Sequence, residues 1–110
     1  MSTAKSIPLD LNLDENGLLV NPDDWNTVVA RQIASQLDIP HLTNEHWKII
    51  DALRMHYARF GVAPAMHNIC QSNHKSRDWV HSHFDNCLNA WRVAGLPDPG
   101  EEAKSYLSDM

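Results

Sequence analysis

Apolar and polar residues alternate near the beginning of the chain. Leu9, Leu11 and Leu13 are separated by single polar residues, which is the period of a half-buried β-strand. An Asn-Gly pair at 16–17 suits a tight turn, because both residues tolerate positive φ angles, and a second apolar run follows at 18–20. This pattern predicts an N-terminal β-hairpin.

The period then changes to the three-and-four spacing of helices that bury one face. A first helix is predicted to begin near Pro22 and to end near Leu37. The longest helix is predicted to follow the N-cap Thr43 and to stop at Gly61. Their inward stripes are Trp25, Val28, Val29, Ile33 and Leu37 in the first helix and Trp47, Ile50, Leu53, Tyr57 and Phe60 in the second.

Shorter helices are predicted in the rest of the chain. Pro64 suits the first position of a third helix, residues 78–84 form a fourth, and 87–95 a fifth that ends at Gly95. Residues 100–110 have little apolar content and are predicted to form a flexible C-terminal arm.

One domain accounts for the whole chain. Its 110 residues and 12.5 kDa suit a single unit, residues 1–110, with a flexible N-terminus at 1–6. The expected class is mainly α with a small β element. No apolar run approaches the roughly 20 residues of a membrane span, and residues 1–9 lack the apolar core of a signal peptide. A cytoplasmic protein without a membrane partner is therefore predicted.

The charge is unevenly distributed along the chain, whose formal net charge is -5 at pH 7. Residues 48–92 carry six Lys and Arg against three Asp, and five of the seven His, whereas 1–47 and 93–110 are acidic. A basic middle between acidic ends is typical of a partner-binding surface. The predicted partner-binding residues are Arg54, Arg59, Lys75, Arg77, Trp79 and Arg92.

Cysteine and histidine are the residues with candidate site chemistry. Cys70 and Cys87 form no paired-ligand pattern, which predicts reduced thiols. His67, Cys70 and His74 have a spacing that places them on one helical face, where imidazole and thiolate suit zinc or copper. A fourth ligand is not evident, so neither a metal site nor a cofactor is predicted, and the triad stays a weak candidate.

Four ordered segments resemble the TusE/DsrC/DsvC sulfur-relay family and together bracket residues 9–99. They are Asp14-Glu15-Asn16-Gly17-Leu18-Leu19 with Pro22-Asp23-Asp24-Trp25, Leu42-Thr43-Asn44-Glu45-His46-Trp47, Phe60-Gly61-Val62-Ala63-Pro64-Ala65, and Ala94-Gly95-Leu96-Pro97-Asp98-Pro99. The resemblance implies a compact helical fold with a β-hairpin, a helix-turn-helix-like element and a flexible C-terminal arm. It also implies a sulfurtransferase complex or a siroheme sulfite reductase as the partner.

Proteins of this family carry sulfur as a persulfide on a penultimate cysteine, and the DsrC-type branch has a second cysteine before the Ala-Gly-Leu-Pro segment. Counting from Gly95, these two positions are Glu102 and Trp91 here. A carboxylate cannot carry a persulfide and an indole cannot resolve one. The resemblance without its cysteines therefore implies a non-catalytic binding or regulatory homologue, with no independent enzymatic activity.

Two other functions stay open from the sequence. The first is persulfide transfer by Cys87 or Cys70 in place of the family cysteines, although a free cysteine is often a small buried residue. The second is DNA binding by a transcriptional regulator, because the second and third helices form a helix-turn-helix-like pair. Only His67, Asn68 and Gln71 would be presented to bases, and the chain is acidic, which argues against this alternative.

Overall fold

A computed structural model describes residues 12–109. It confirms the mainly helical class. A 3-10 helix at Pro22–Asp24 is followed by α1 (Thr27–Gln36), α2 (Asn44–Phe60), α3 (Met66–Ser72), α4 (Trp79–Phe84), α5 (Cys87–Val93) and α6 (Glu101–Asp109). None of the helices within these residues is long and apolar enough to cross a membrane.

The predicted N-terminal β-hairpin is not supported. Residues 12–109 contain no strand, and the two apolar runs meet only in one antiparallel bridge between Leu13 and Leu19. Leu18 and Leu19 are both buried, which does not fit a half-buried strand with one face in solvent. The first half of the predicted hairpin, with Leu9 and Leu11, lies outside the described residues.

Side-chain hydrogen bonds shape the turn itself. The Asp14 carboxylate accepts hydrogen bonds from the backbone N–H groups of Asn16 and Leu18, at 2.8 and 3.0 Å. The backbone N–H of Asp14 also donates across the turn to the carbonyl of Leu18, at 2.8 Å. Gly17 takes the predicted positive φ, 78°. The turn chemistry is therefore confirmed, and the strands are not.

The helix ends agree with the sequence in α2 and at the end of α1, where Leu37 is the C-cap, and they differ at the start of α1. Thr43 is the N-cap of α2, and Gly61 ends it in the left-handed conformation with φ 68°. α1 begins at Thr27 rather than near Pro22, because Asn26 caps it through a hydrogen bond from the N–H of Val29. The predicted stripes are wrong at one position each, where Val28 is 57% exposed and Phe60 is 59% exposed.

α5 lies at the centre of the fold and packs against α1, α2, α4 and α6. All of its residues except Arg92 are buried. α3 begins at Met66, so Pro64 precedes the helix instead of opening it, and its ring is buried. Five residues separate α2 from α3, the order expected of the helix-turn-helix-like element.

The C-terminal segment differs from the expected flexible arm, because residues 101–109 form helix α6 packed on α5. Leu107 is completely buried, and the Tyr106 hydroxyl donates to the carbonyl of Pro64. Lys104 bridges Asp98 and Glu101, at 2.9 and 2.8 Å. Leu107 and Tyr106 therefore anchor α6. Its low apolar content is the reason that the sequence predicted a flexible arm instead of a helix.

Candidate functional site

Three side chains hold the segment that leaves the C-terminus of α5. The Trp25 indole donates to the carbonyl of Val93 at 2.9 Å, and Arg54 donates to the carbonyl of the next residue at 2.7 Å. The Trp91 indole donates to the carbonyl of Pro97 at 2.8 Å. The last carbonyls of a helix have no partner within the helix, so Trp25 and Arg54 satisfy two acceptors at the end of α5. Trp91 holds the chain three residues further on.

Gly95 allows the closest packing in this region. Its φ is 69°, and a Cβ atom built on it would lie 1.9 Å from Cδ1 of Trp25. The Arg54 guanidinium covers the Trp25 ring, 3.9 Å from its centroid, which is a cation–π contact. The indole is therefore clamped between a cation and a glycine.

Arg92 attaches the N-terminal turn to the same region. Its Nε donates to the carbonyl of Asn16 at 2.7 Å, and its Nη1 donates to Oδ1 of Asn89 at 2.6 Å. A Cβ on Gly17 would lie 3.3 Å from the Arg92 Nε, so the turn passes close to the guanidinium. The N-terminal turn, Trp25 and the Ala-Gly-Leu-Pro segment therefore meet at the C-terminal end of α5, which we call the arm base.

The six predicted partner-binding residues lie in different surroundings in the structure. Arg54 and Arg92 make the internal contacts of the arm base, and Trp79 is buried with its indole donating to Glu45 at 2.9 Å. Arg59 and Arg77 are exposed, and Lys75 is half-buried. Three of the six residues therefore make contacts within the fold, and partner binding by the set stays a prediction.

Glu45 joins α2 to the loop before α4. Its carboxylate contacts the ammonium groups of Lys75 and Lys48, at 3.0 and 3.1 Å. Hydrogen bonds from Lys75, Lys48 and the Trp79 indole lower the pKa of Glu45 to about 2. This carboxylate is therefore ionised at neutral pH, and the charge of Lys75 is partly compensated.

The two thiols lie in different surroundings although both are buried. Cys87 is 4% exposed, and burial, together with the nearby Cys70, raises its pKa to about 11. Cys70 is 2% exposed, and its thiol lies 3.7 Å from the carbonyl of Arg77. Cys70 also lines an open pocket of about 540 Å³, which His67, Lys75 and Arg77 share. Cys70 therefore borders a cavity with cationic walls.

The candidate metal triad does not assemble. Cys70 is buried, and His74 lies beyond the end of α3 with φ 58°. Across residues 12–109, no three His, Cys, Asp or Glu side chains form a group that could hold a metal ion. The residues considered for base contacts, His67, Asn68 and Gln71, are exposed on α3, and DNA binding stays a prediction.

His46 is a buried polar residue that the sequence analysis missed. Its Nδ1 accepts from the backbone N–H of Thr43 at 2.9 Å, so the proton is on Nε2, which donates to the carbonyl of His83 at 2.9 Å. Its ring contacts Phe84 edge-on, with centroids 5.0 Å apart. The spacing of Thr43 and His46 is that of a capping box, which was the available signal.

The neutral state of His46 makes stability depend on pH. Burial is the main cause that lowers its pKa below 6.5. The hydrogen bond to the His83 backbone opposes this shift, and the charge of the His83 ring adds a smaller lowering. Above pH 6.5 the ring is neutral in both states. Below it the unfolded chain takes up the proton first, so we expect the free energy of unfolding to fall, by at most about 1.4 kcal/mol per pH unit for one proton.

Urea unfolding of the wild type, His46→Gln and His67→Gln at a series of pH values measures this effect. His67 is exposed, so its variant should keep the wild-type slope, whereas His46→Gln should have a shallower one. Equal slopes in all three proteins would assign the pH dependence to other groups.

Comparison with known proteins places this arrangement in a family. Residues 8–101 match the family described as DsrC like protein. The chain belongs to the DsrC-like family. Sulfurtransferase TusE of Buchnera aphidicola subsp. Acyrthosiphon pisum is 35% identical over 99 residues, 82% of this chain and 86% of that protein. The gamma subunit of dissimilatory-type sulfite reductase from Nitratidesulfovibrio vulgaris is 29% identical over 89 residues, 79% of this chain and 85% of that one.

The fold agrees with this membership. The oxidized gamma-subunit of the dissimilatory sulfite reductase (DsrC) from Archaeoglobus fulgidus superposes with a TM-score of 0.72 at 32% identity. The match covers 83% of this chain and 90% of that chain. In this DsrC-like chain, the positions that the resemblance assigns to cysteines have opposite surroundings: Trp91 is completely buried, and Glu102 is exposed on α6.

Proposed function

We propose that this DsrC-like chain is a non-catalytic sulfur-relay protein. It binds a sulfurtransferase or sulfite reductase partner and modulates sulfur traffic without carrying sulfur itself. The observation that carries the proposal is Glu102, a carboxylate exposed on α6 at the position where the carrier cysteine is expected. At the position of the second cysteine, the buried indole of Trp91 donates to the carbonyl of Pro97. A side chain built into the core in this way has a structural role that a reactive thiol cannot share.

The retained arm base supports a binding role. Trp25, Arg54 and Arg92 hold the start of the C-terminal segment, and α6 continues it as an ordered helix with Glu102 on its exposed side. A scaffold that keeps these contacts presents the C-terminal segment in a defined position. The names of the similar proteins, a sulfurtransferase and a sulfite reductase subunit, support the class of partner.

A second candidate function is sulfur acceptance at Cys70. Cys70 lines a pocket whose walls include Lys75 and Arg77, and cationic side chains attract an anionic sulfur donor. Its thiol is 2% exposed, and this burial counts against the candidate. In this reaction the Cys70 thiolate would attack the outer sulfur of a donor persulfide, and the donor thiolate would leave. Cys87 is a poorer acceptor because its raised pKa leaves little thiolate at neutral pH.

Intact-mass spectrometry after incubation with a persulfide-loaded sulfurtransferase distinguishes the two candidates. We expect no added sulfur on the wild type, and one added sulfur on Glu102→Cys, which places an exposed thiol on α6. The variant shows that the donor reaches the chain, so an unmodified wild type then reflects a missing acceptor.

Cys70→Ser and Cys87→Ser complete the experiment. A sulfur that appears on the wild type and disappears in Cys70→Ser would replace the non-catalytic proposal with the Cys70 carrier. A sulfur lost only in Cys87→Ser would overturn both, since it requires the buried thiol of α5 to react.

A further inference from the structure

A groove between α2 and α3 lies apart from the arm base and from the pocket of Cys70. Its volume is about 420 Å³, and its lining includes Ala52, Met55 and Phe60 from α2 and Ile69 from α3. Met55 is 67% exposed and Phe60 is 59% exposed, whereas Ile69 is buried. Large apolar side chains kept in solvent around an apolar floor are typical of a protein-binding groove.

The orientation of Phe60 is held by its neighbours. The rings of His56 and Phe60 lie 4.7 Å apart, and the Arg59 guanidinium lies 5.5 Å from the Phe60 ring. The aromatic side chain is therefore positioned before any ligand arrives, which reduces the entropy lost on binding.

The charges of the groove select its ligand. Lys48 and Arg59 line opposite ends and are eleven residues apart on α2, about 16 Å along the helix axis. Lys48 also contacts Glu45 at 3.1 Å, so Arg59 supplies the stronger uncompensated charge. The one carboxylate in the lining, Asp51, interacts with Arg54.

We propose that this groove binds an acidic amphipathic helix of the protein partner. The inference rests on the proposed binding function and names the surface and the chemistry of its ligand. Apolar side chains one turn apart on the ligand contact Met55 and Phe60, and carboxylates near its ends meet Lys48 and Arg59. The 16 Å between the cations corresponds to about three turns of such a helix. The exposed apolar pair and Asp51 favour a peptide over nucleic acid.

The test uses the full chain and a synthetic peptide. A ¹⁵N-labelled protein is titrated with a three-turn helical peptide that has leucines one turn apart and glutamates at both ends. We expect saturable chemical-shift changes at Met55, Phe60 and Ile69, which weaken as salt is added. Peptides with lysine in place of glutamate, or serine in place of leucine, should bind about tenfold more weakly or not at all.

Two exposed substitutions test the groove without disturbing the core. Arg59→Glu and Phe60→Ala should each weaken peptide binding about tenfold. Arg31→Glu is the matched control, because it reverses the charge of an exposed arginine on α1 that does not line the groove, and it should change binding less than about twofold.

Other results would overturn the proposal. Equal binding of the lysine peptide, shift changes away from the groove, or no saturable binding would each remove it. Concentration-dependent shifts at Met55 and Phe60 without peptide would assign the groove to a second copy of this chain. Sulfur gained by the wild type in the mass experiment would overturn the non-catalytic function alone, whereas failed peptide binding would overturn the groove alone.

Discussion

Gly95→Ala should lower the free energy of unfolding by about 3 kcal/mol or more. The new Cβ atom would lie 1.9 Å from Cδ1 of Trp25, and the Trp25 ring is held by its hydrogen bond to Val93 and by the Arg54 guanidinium. The indole cannot move aside without losing these contacts. Urea unfolding followed by tryptophan fluorescence and by circular dichroism measures the loss.

Gly61→Ala separates the steric effect from the backbone effect. Gly61 has nearly the same positive φ, 68°, but a Cβ on it would have no atom within 4 Å. Gly61→Ala should therefore lower the free energy of unfolding by about 1 kcal/mol, which is the strain of an alanine in the left-handed region. Similar losses at the two positions would show that packing on Trp25 is not what requires Gly95.

Trp91→Cys should destabilise the protein by about 3–5 kcal/mol, although it introduces the residue expected at this position in DsrC-type relatives. Trp91 is completely buried, its ring contacts Tyr57 with centroids 5.9 Å apart, and its indole satisfies the carbonyl of Pro97. A cysteine would leave a cavity and an unpaired carbonyl. Thermal and urea unfolding of the variant measure the combined loss.

Trp91→Phe is the matched comparison, since it keeps most of the ring and removes the indole N–H. We expect a loss of about 1–2 kcal/mol, chiefly from the unpaired carbonyl of Pro97. A Trp91→Cys protein as stable as the wild type would contradict the structural role of Trp91 and weaken the non-catalytic proposal, because the position would then tolerate a thiol.

The arm base shows which parts of the candidate site were accessible to sequence reasoning. The Ala-Gly-Leu-Pro segment and Trp25 were both singled out as family segments, and the structure brings them into contact. The hydrogen bonds of Arg54 and Arg92 to distant carbonyls were not predicted. A charged residue is assigned to the surface when its hydrogen-bond acceptor is unknown. Forty residues separate Arg54 from Ala94, and no local pattern reports such a pairing.

The errors in the fold have the same origin. The apolar residues at 18–19 have strand composition, but both leucines are buried in the core. α6 carries few apolar residues, yet Leu107 and Tyr106 are enough to anchor it, because α5 and Pro64 provide a complementary surface. In both cases the deciding interaction is made with residues distant in sequence.

Four ordered segments of the sequence indicated the DsrC-like family, which residues 8–101 match. The sequence by itself also determined the helical class, both ends of α2, and the positive φ of Gly17 and Gly61. These features depend on periodicity, capping residues and backbone conformation, which act within a few residues of the chain. Only the tertiary structure decided that Trp91 anchors the core, that His46 is buried and neutral, and that Cys70 lines a cationic pocket. Burial and the pairing of polar groups depend on which helices pack together, and neighbouring residues in the sequence do not specify that.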